Sequence, residues 1–364
     1  MIDFRYHLVS IIAVFFALAV GIVLGAGPLG ERVDAELPDQ LNSMREQNNQ
    51  LQEQIRGLES IQEYRDGFIE VVTPEIVSGR LDNRDVVVMG MPNADGDIVA
   101  AVAETLREGG AEVTASVQVD SSWTDAESEA ALDALAAGLV STGITIPEDG
   151  DGYDRGAALL AQAFLISPEE VTLEEGLASG IDELTLDINR QVDEEIVIGL
   201  SEAGFIGVDG DADRKAELAV VVAGPLVAED SAIPVEPLLT VVRALEGAGA
   251  GTVVAGPPLP SDGELIPTIR GDGDLTDQVS TVDAADLLVG RVAVVFAILE
   301  QESGDAGQYG YSGSPDGPMP PIPARPVPEQ EQDQDTGDPG GEDPTGDGET
   351  DADGGADGSE DGEG

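Results

Sequence analysis

Cysteine is missing from all 364 residues, and histidine and lysine occur once each, as His7 and Lys215. Without a thiol there is no disulfide, no thiolate nucleophile and no thiolate metal site. His7 falls at the edge of the apolar run that opens the chain, out of reach of any domain beyond the membrane. Histidine-based triads and zinc centres are therefore excluded within one chain. Lys215 stands between Arg214 and Ala216, with no phosphate-binding glycine loop around it. Positive charge is scarce throughout: 16 Lys and Arg face 73 Asp and Glu, for a formal net charge of −57. A phosphate backbone needs clustered bases, so nucleic acid is excluded as a partner. With no thiol, no histidine beyond the membrane and no phosphate-loop lysine, the chain reads as non-enzymatic.

What is present begins at the N-terminus. From Leu8 to Leu24 no residue is charged, and Gly25, Ala26 and Gly27 extend the run. At ~1.5 Å per residue, about 20 residues cross the hydrocarbon core, so residues 8–29 read as a transmembrane anchor. Arg5 and the α-amine precede the run and Glu31, Asp34 and Glu36 follow it, which puts residues 1–7 in the cytoplasm and the bulk of the chain outside. The rival reading is a cleaved signal peptide, with Val23-Leu-Gly25 as a passable cleavage site; the length of the run and the missing basic flank speak for an anchor. Ala13, Ala17, Gly21 and Gly25 recur every fourth residue, a small-residue stripe along which a second helix can approach.

Residues 31–72 carry a heptad seam. Leu37, Leu41, Met44, Asn48, Leu51, Ile55 and Leu58 are spaced alternately four and three apart, with polar residues between. Placing Leu37 at d puts Asn48 at a, where a buried amide fixes register in a parallel pair. The seam predicts a coiled-coil homodimer. At Gln62 it slips, while Ile61, Tyr64 and Phe68 continue nearby, which reads as a stammer. The competing explanation is an amphipathic helix packed on its own globular domain.

From residue 82 to 300 short β-branched runs alternate with amphipathic helices. Strands are expected at Val86–Met89, Glu112–Val119, Phe205–Val208, Leu218–Val222, Thr252–Ala255 and Val279–Val282, and helices at Ile98–Arg107, Ala126–Leu139, Tyr153–Leu165, Glu194–Ala203, Val235–Glu246 and Ala285–Glu300. Parallel strands need crossover helices, so the pattern predicts a Rossmann-like α/β domain. Residues 301–328 read as a Gly/Pro-rich linker, and residues 329–364, acidic and almost free of aliphatics, as a disordered tail.

Candidate ligand sites are few. Gly25-Ala-Gly27-Pro-Leu-Gly30 matches a dinucleotide fingerprint in letters, yet it leaves an apolar helix rather than a strand. Glu349, Asp351, Asp353, Gly354 and Glu360 resemble a calcium loop, a match expected by chance in a tail of Asp, Glu and Gly. Met89 and Met91 flank Gly90 at the end of the first strand and point to one face, so they are either a thioether pair able to hold Cu(I) or two core side chains. Asp283 follows the last strand and reads as the cap of the next helix, with Ser280 and Thr281 near a strand's carboxyl end.

Four stretches together carry a family resemblance: Phe4 to Gly25 with the coil behind it, Val279-Ser-Thr-Val-Asp283 with Ala285-Asp286, Gly290-Arg291, and Gly307-Gln-Tyr-Gly310. They resemble the actinobacterial copper transporter family typified by MctB, over most of residues 1–310 and excluding the acidic tail. The resemblance implies an envelope protein in copper transport, efflux or homeostasis, with copper as a possible ligand. A corynebacterial relative resembles instead a partner of a peptidoglycan hydrolase in cell separation. That implies a second role, as a non-catalytic scaffold with an envelope protein partner.

Overall fold

The structure is a computed structural model that describes residues 4–25, 28–140, 146–147, 150–167, 191–210, 212–228, 231–259 and 263–324. The acidic tail and its calcium-like pattern lie outside the described residues, as does the side chain of Leu41.

Helix α1 (Phe4–Gly25) buries none of its residues and, at a mean hydropathy of 2.8, is the one described helix long and apolar enough to cross a membrane. Helix α2 (Pro28–Val77) follows and runs for 50 residues. It continues past Pro74, beyond the expected end of the coil. Its last turn buries Thr73 and Val77 in the globular head, and this packing outweighs the proline's missing donor.

The head opens with β1 (Asp85–Gly90), α3 (Gly96–Glu108) and β2 (Glu112–Val119). Asp95 caps α3 by accepting from the Asp97 N–H at 2.9 Å, and Gly110, at φ +98°, turns the chain into β2. Helices α4 (Ser128–Val140), α5 (Gly152–Phe164) and α6 (Glu194–Glu202) lead to β3 (Ile206–Asp209) and β4 (Leu218–Val222). Asp151 and Asp154 form a reciprocal capping box at the start of α5. A small hairpin, β5 (Val227–Ala228) with β6 (Ser231–Ala232), precedes α7 (Glu236–Ala248) and β7 (Gly251–Ala255). Short helices α8 (Leu265–Gly271) and α9 (Gly273–Thr276) lead to β8 (Ser280–Val282), α10 (Leu288–Glu302) and β9 (Gln308–Tyr309).

Among the described residues one sheet of seven strands forms, in the order β3-β2-β1-β4-β7-β8-β9. Every pairing is parallel except β2 with β3, an antiparallel edge. Parallel strands buried on both faces read as continuous apolar runs, and β1, β4 and β7 are buried along their whole lengths. Alternate residues serve two cores. Val87, Met89, Ala219, Val221 and Val254 face α5, α6, α7 and α8, whereas Val86, Val88, Leu218, Val220 and Val253 face α3, α10 and the end of α2.

Three expectations are revised. The sheet extends into the stretch read as a linker, because β9 pairs with β8 through Thr281 and Val282. The hairpin and the short helices α8 and α9 were not foreseen: each is too short to show a periodicity. Asp283 does not cap the next helix; α10 starts at Leu288 with no side-chain cap, and the carboxylate is used elsewhere.

Candidate functional site

The sheet reverses its winding between β1 and β4, and in open α/β sheets the crevice beyond the strands' carboxyl ends at such a point is the usual ligand position. Here the chain fills it. The Met91 N–H donates to the Val222 carbonyl at 2.8 Å and Asn93 Nδ2 to the Pro225 carbonyl at 3.0 Å. Gly224 lies so close to this loop that a Cβ there would sit 2.2 Å from the Ala94 nitrogen. Gln118 Nε2 seals the neighbouring gap by donating to the carbonyls of Gly90, Met91 and Val119 at 3.1, 2.9 and 3.0 Å.

Met89 and Met91 line the same core, both at 0 % exposure, under this closed crevice. The structure brings the two thioethers to one face, in an apolar cluster with Val87, Val119 and Trp123. Among the described residues no group of three or more His, Cys, Asp or Glu could hold a metal ion. The seam residues Met44, Leu51, Ile55 and Leu58 are 64, 58, 52 and 67 % exposed on α2 in the single chain, and Asn48 accepts from Gln52 Nε2 at 3.0 Å. Ala13, Ala17, Gly21 and Gly25 lie along α1, where every described residue is exposed.

A dense polar constellation is built toward the β9 edge of the sheet, around the motif residues at the carboxyl ends of β8 and β9. Arg270, near the end of α8, sends Nε to Thr281 Oγ1 at 2.8 Å and Nη1 to Asp283 Oδ2 at 2.9 Å. Its Nη1 also reaches the Ser312 carbonyl at 2.9 Å, and Nη2 the Tyr309 carbonyl at 2.7 Å. Asp283, 1 % exposed, accepts further from the N–H groups of Tyr311 and Ser312 at 2.8 and 2.9 Å. Thr281 Oγ1 donates to Gln308 Oε1 at 2.6 Å, and Gln308 Nε2 donates to the Val279 carbonyl at 3.1 Å. A buried ion pair is tolerable only when its remaining lone pairs and protons are met, and here they are met by the backbone of residues 309–312.

The motif glycines follow from the same packing. Gly310 sits at φ +126°, and a Cβ on it would fall 1.7 Å from Asp283 Oδ1. Gly290 lets α10 close on the preceding turn, where a Cβ would meet the Ala284 carbonyl at 1.9 Å. Arg291 Nη1 donates to the carbonyls of Ala285 and Asp286, both at 3.2 Å, and burial lowers its pKa. Tyr309 donates its hydroxyl to Glu300; burial first, and then that carboxylate, raises the phenol's pKa well above its ordinary value.

A pocket of about 340 Å³ opens beside this lock, lined by Ile266, Pro267, Arg270, Asp283, Ser312 and Ser314 among others. Its two ionisable groups neutralise each other, which leaves seryl hydroxyls and peptide groups to meet a visitor. That chemistry suits a small uncharged polar group better than an ion. The sequence pointed to Thr281, Asp283 and the motif around Gln308 but not to Arg270, whose partners lie 11 to 42 positions away.

An apolar N-terminal helix long enough to cross a membrane, a 50-residue helix and an α/β head closed by a motif-built lock define the class: an α/β protein whose head carries no preformed metal cluster among its described residues. The family model described as "Copper transport outer membrane protein, MctB" matches residues 1–320. Proteins named "Copper transporter MctB" are similar along nearly their whole lengths. The one from Mycobacterium tuberculosis is 29 % identical over 332 residues, 88 % of this chain and 98 % of its own. The one from Mycobacterium leprae is 28 % identical over 318 residues, 85 % of this chain and 96 % of its own. The chain belongs to the MctB family.

Proposed function

We propose that this chain acts in copper transport or copper homeostasis at the cell envelope, as a single-pass membrane protein with its N-terminus in the cytoplasm and its head outside. Membership of the family along residues 1–320, anchor and head together, is the observation that carries the reading. Copper is cargo here. The one membrane-length helix among the described residues cannot line a polar conduit without many copies, and a mainly parallel sheet covered by helices on both faces is no membrane barrel. The head, a Rossmann-like α/β domain, therefore works on the path of copper without forming it.

In this reading α2 is a parallel coiled coil that holds two heads away from the bilayer; residues 31–70, fully helical, reach about 60 Å at ~1.5 Å per residue. Charge supports self-pairing. In the frame that places Asn48 at a, the g positions are Gln40, Gln47 and Gln54 and the e positions Arg45, Gln52 and Glu59. No acid faces an acid across the seam, in a chain where acids outnumber bases 73 to 16.

The test is copper tolerance. A strain lacking this chain is expected to lose growth at raised copper and to regain it with the full chain, but not with a chain beginning after residue 27. Unchanged copper tolerance in the deletion strain refutes the role; rescue by the unanchored chain refutes the topology.

A further inference from the structure

We infer that the dimer seam changes face on α2 between Leu58 and Ile61, so that below the head the second copy packs on Ile61, Tyr64, Phe68 and Val71. The inference rests on the parallel dimer proposed above and says where it runs once the helix reaches the head. Carried on without interruption, the heptad frame of Leu51, Ile55 and Leu58 places Gln62 at a, Arg65 at d, Ile69 at a, Val72 at d and Ile76 at a. Two observations exclude a partner from that face. First, the chain's own head already occupies it: Thr73 is 2 % exposed, Val77 is fully buried, Ile69 and Val72 are half-buried, and Ile76 packs on the core shared with α10. Second, Arg65 at d would face its own copy across a seam, a like-charge pair at an apolar position.

The alternative stripe is free and apolar. Ile61, Tyr64, Phe68 and Val71 are 57, 75, 58 and 76 % exposed, the four large apolar side chains that this stretch of the helix leaves uncovered. Their spacings of three, four and three make a new frame with Ile61 and Phe68 at a and Tyr64 and Val71 at d. The flanking g positions become Ser60 and Gly67 and the e positions Arg65 and Val72, so again no acid meets an acid, and Arg65 moves to the wet edge of the seam. The run of spacings of three from Ile55 to Tyr64 overwinds the pair locally, which is the geometry a change of face requires. A second copy is the fitting occupant because this stripe continues directly from the proposed seam and keeps the same neutral flanks. The consequence is that the two heads are held in one orientation at the top of the stalk, each beside its partner's helix.

The absence of native cysteine makes the test clean. Single substitutions Leu58→Cys, Tyr64→Cys, Arg65→Cys, Phe68→Cys and Val71→Cys are made in the full chain, oxidised in native membranes and read as crosslinked dimer on non-reducing gels. A disulfide needs Cβ atoms about 3.5–4.5 Å apart, so only seam positions link efficiently. The expected result is strong linkage at Leu58, Tyr64 and Val71, with Arg65 several-fold weaker. Strong linkage at Leu58 and Arg65 with little at Tyr64 and Val71 would mean an unbroken frame and overturn the inference. So would linkage at Leu58 and nowhere beyond it, since the helices would then splay. Absence of linkage at Leu58 itself refutes the dimer, and is thereby told apart from failure of the face change alone. All five sites are on the stalk and none reaches into the head's core, so folding of the head is checked independently by the fluorescence of Trp123.

Discussion

Replacing Asp283 by alanine removes the acceptor of three charge-assisted hydrogen bonds, from Arg270 Nη1 and from the N–H groups of Tyr311 and Ser312, at 2.8 to 2.9 Å. Each such bond is worth about 1.5–3 kcal/mol, so the sum would rival the whole stability of a domain at about 5–15 kcal/mol. The chain has a cheaper response. Strand β9 is an edge of two residues, and detaching the segment after Gly307 lets water reach Arg270 and the freed amides. The cost should therefore settle near the value for breaking a buried ion pair, about 3–5 kcal/mol. The assay is urea unfolding of the full chain in mild detergent, followed by the fluorescence of Trp123, its one tryptophan, with amide exchange at Tyr311 and Ser312 reporting local detachment. Combining Asp283→Ala with Arg270→Met should cost less than the two changes separately, because neither partner is left as an uncompensated charge. A loss under about 1 kcal/mol for Asp283→Ala, or strict additivity in the double variant, would show that this pair does not hold β9 in place.

Gly290→Ala must push α10 away from the Ala284 carbonyl and is expected to cost about 1–3 kcal/mol, whereas Gly247→Ala, with nothing within 4 Å, should be neutral or stabilising; urea midpoints of the two decide. Burial raises the pKa of Glu246, outweighing hydrogen bonds with Thr252 that lower it. The folded state thus prefers the protonated acid, and its contribution to stability is lost as pH rises from the ordinary glutamate range through the raised value. Glu246→Gln should lift the melting temperature at pH 7 and leave it unchanged at pH 4, and equal shifts at both would refute the assignment. Met89→Leu with Met91→Leu conserves volume in the core, so each should cost less than about 1.5 kcal/mol. Copper tolerance should survive in a strain carrying only that variant, and its loss with an intact fold would bring the thioethers into the copper path.

The strands of the head could be read before any coordinates, and for one reason: β1, β4 and β7 are buried on both faces, so they stand out as apolar runs. The apolar helix at the start was equally plain, because crossing hydrocarbon takes an unbroken run of about 20 residues and soluble segments rarely supply one. The family motifs around residues 280 and 308 were visible as letters, and family membership followed from them. Their work was not. Asp283 looked like a helix cap because capping is the local use of an aspartate after a strand, whereas its actual partners are Arg270, 13 positions before it, and amides 28 and 29 positions after it. The tertiary structure alone decided that residues 308–309 are a strand rather than a linker, since a two-residue strand has no periodicity and exists only by pairing with β8. It alone also decided which face of α2 the head takes, because a heptad names an apolar face without naming the surface that covers it.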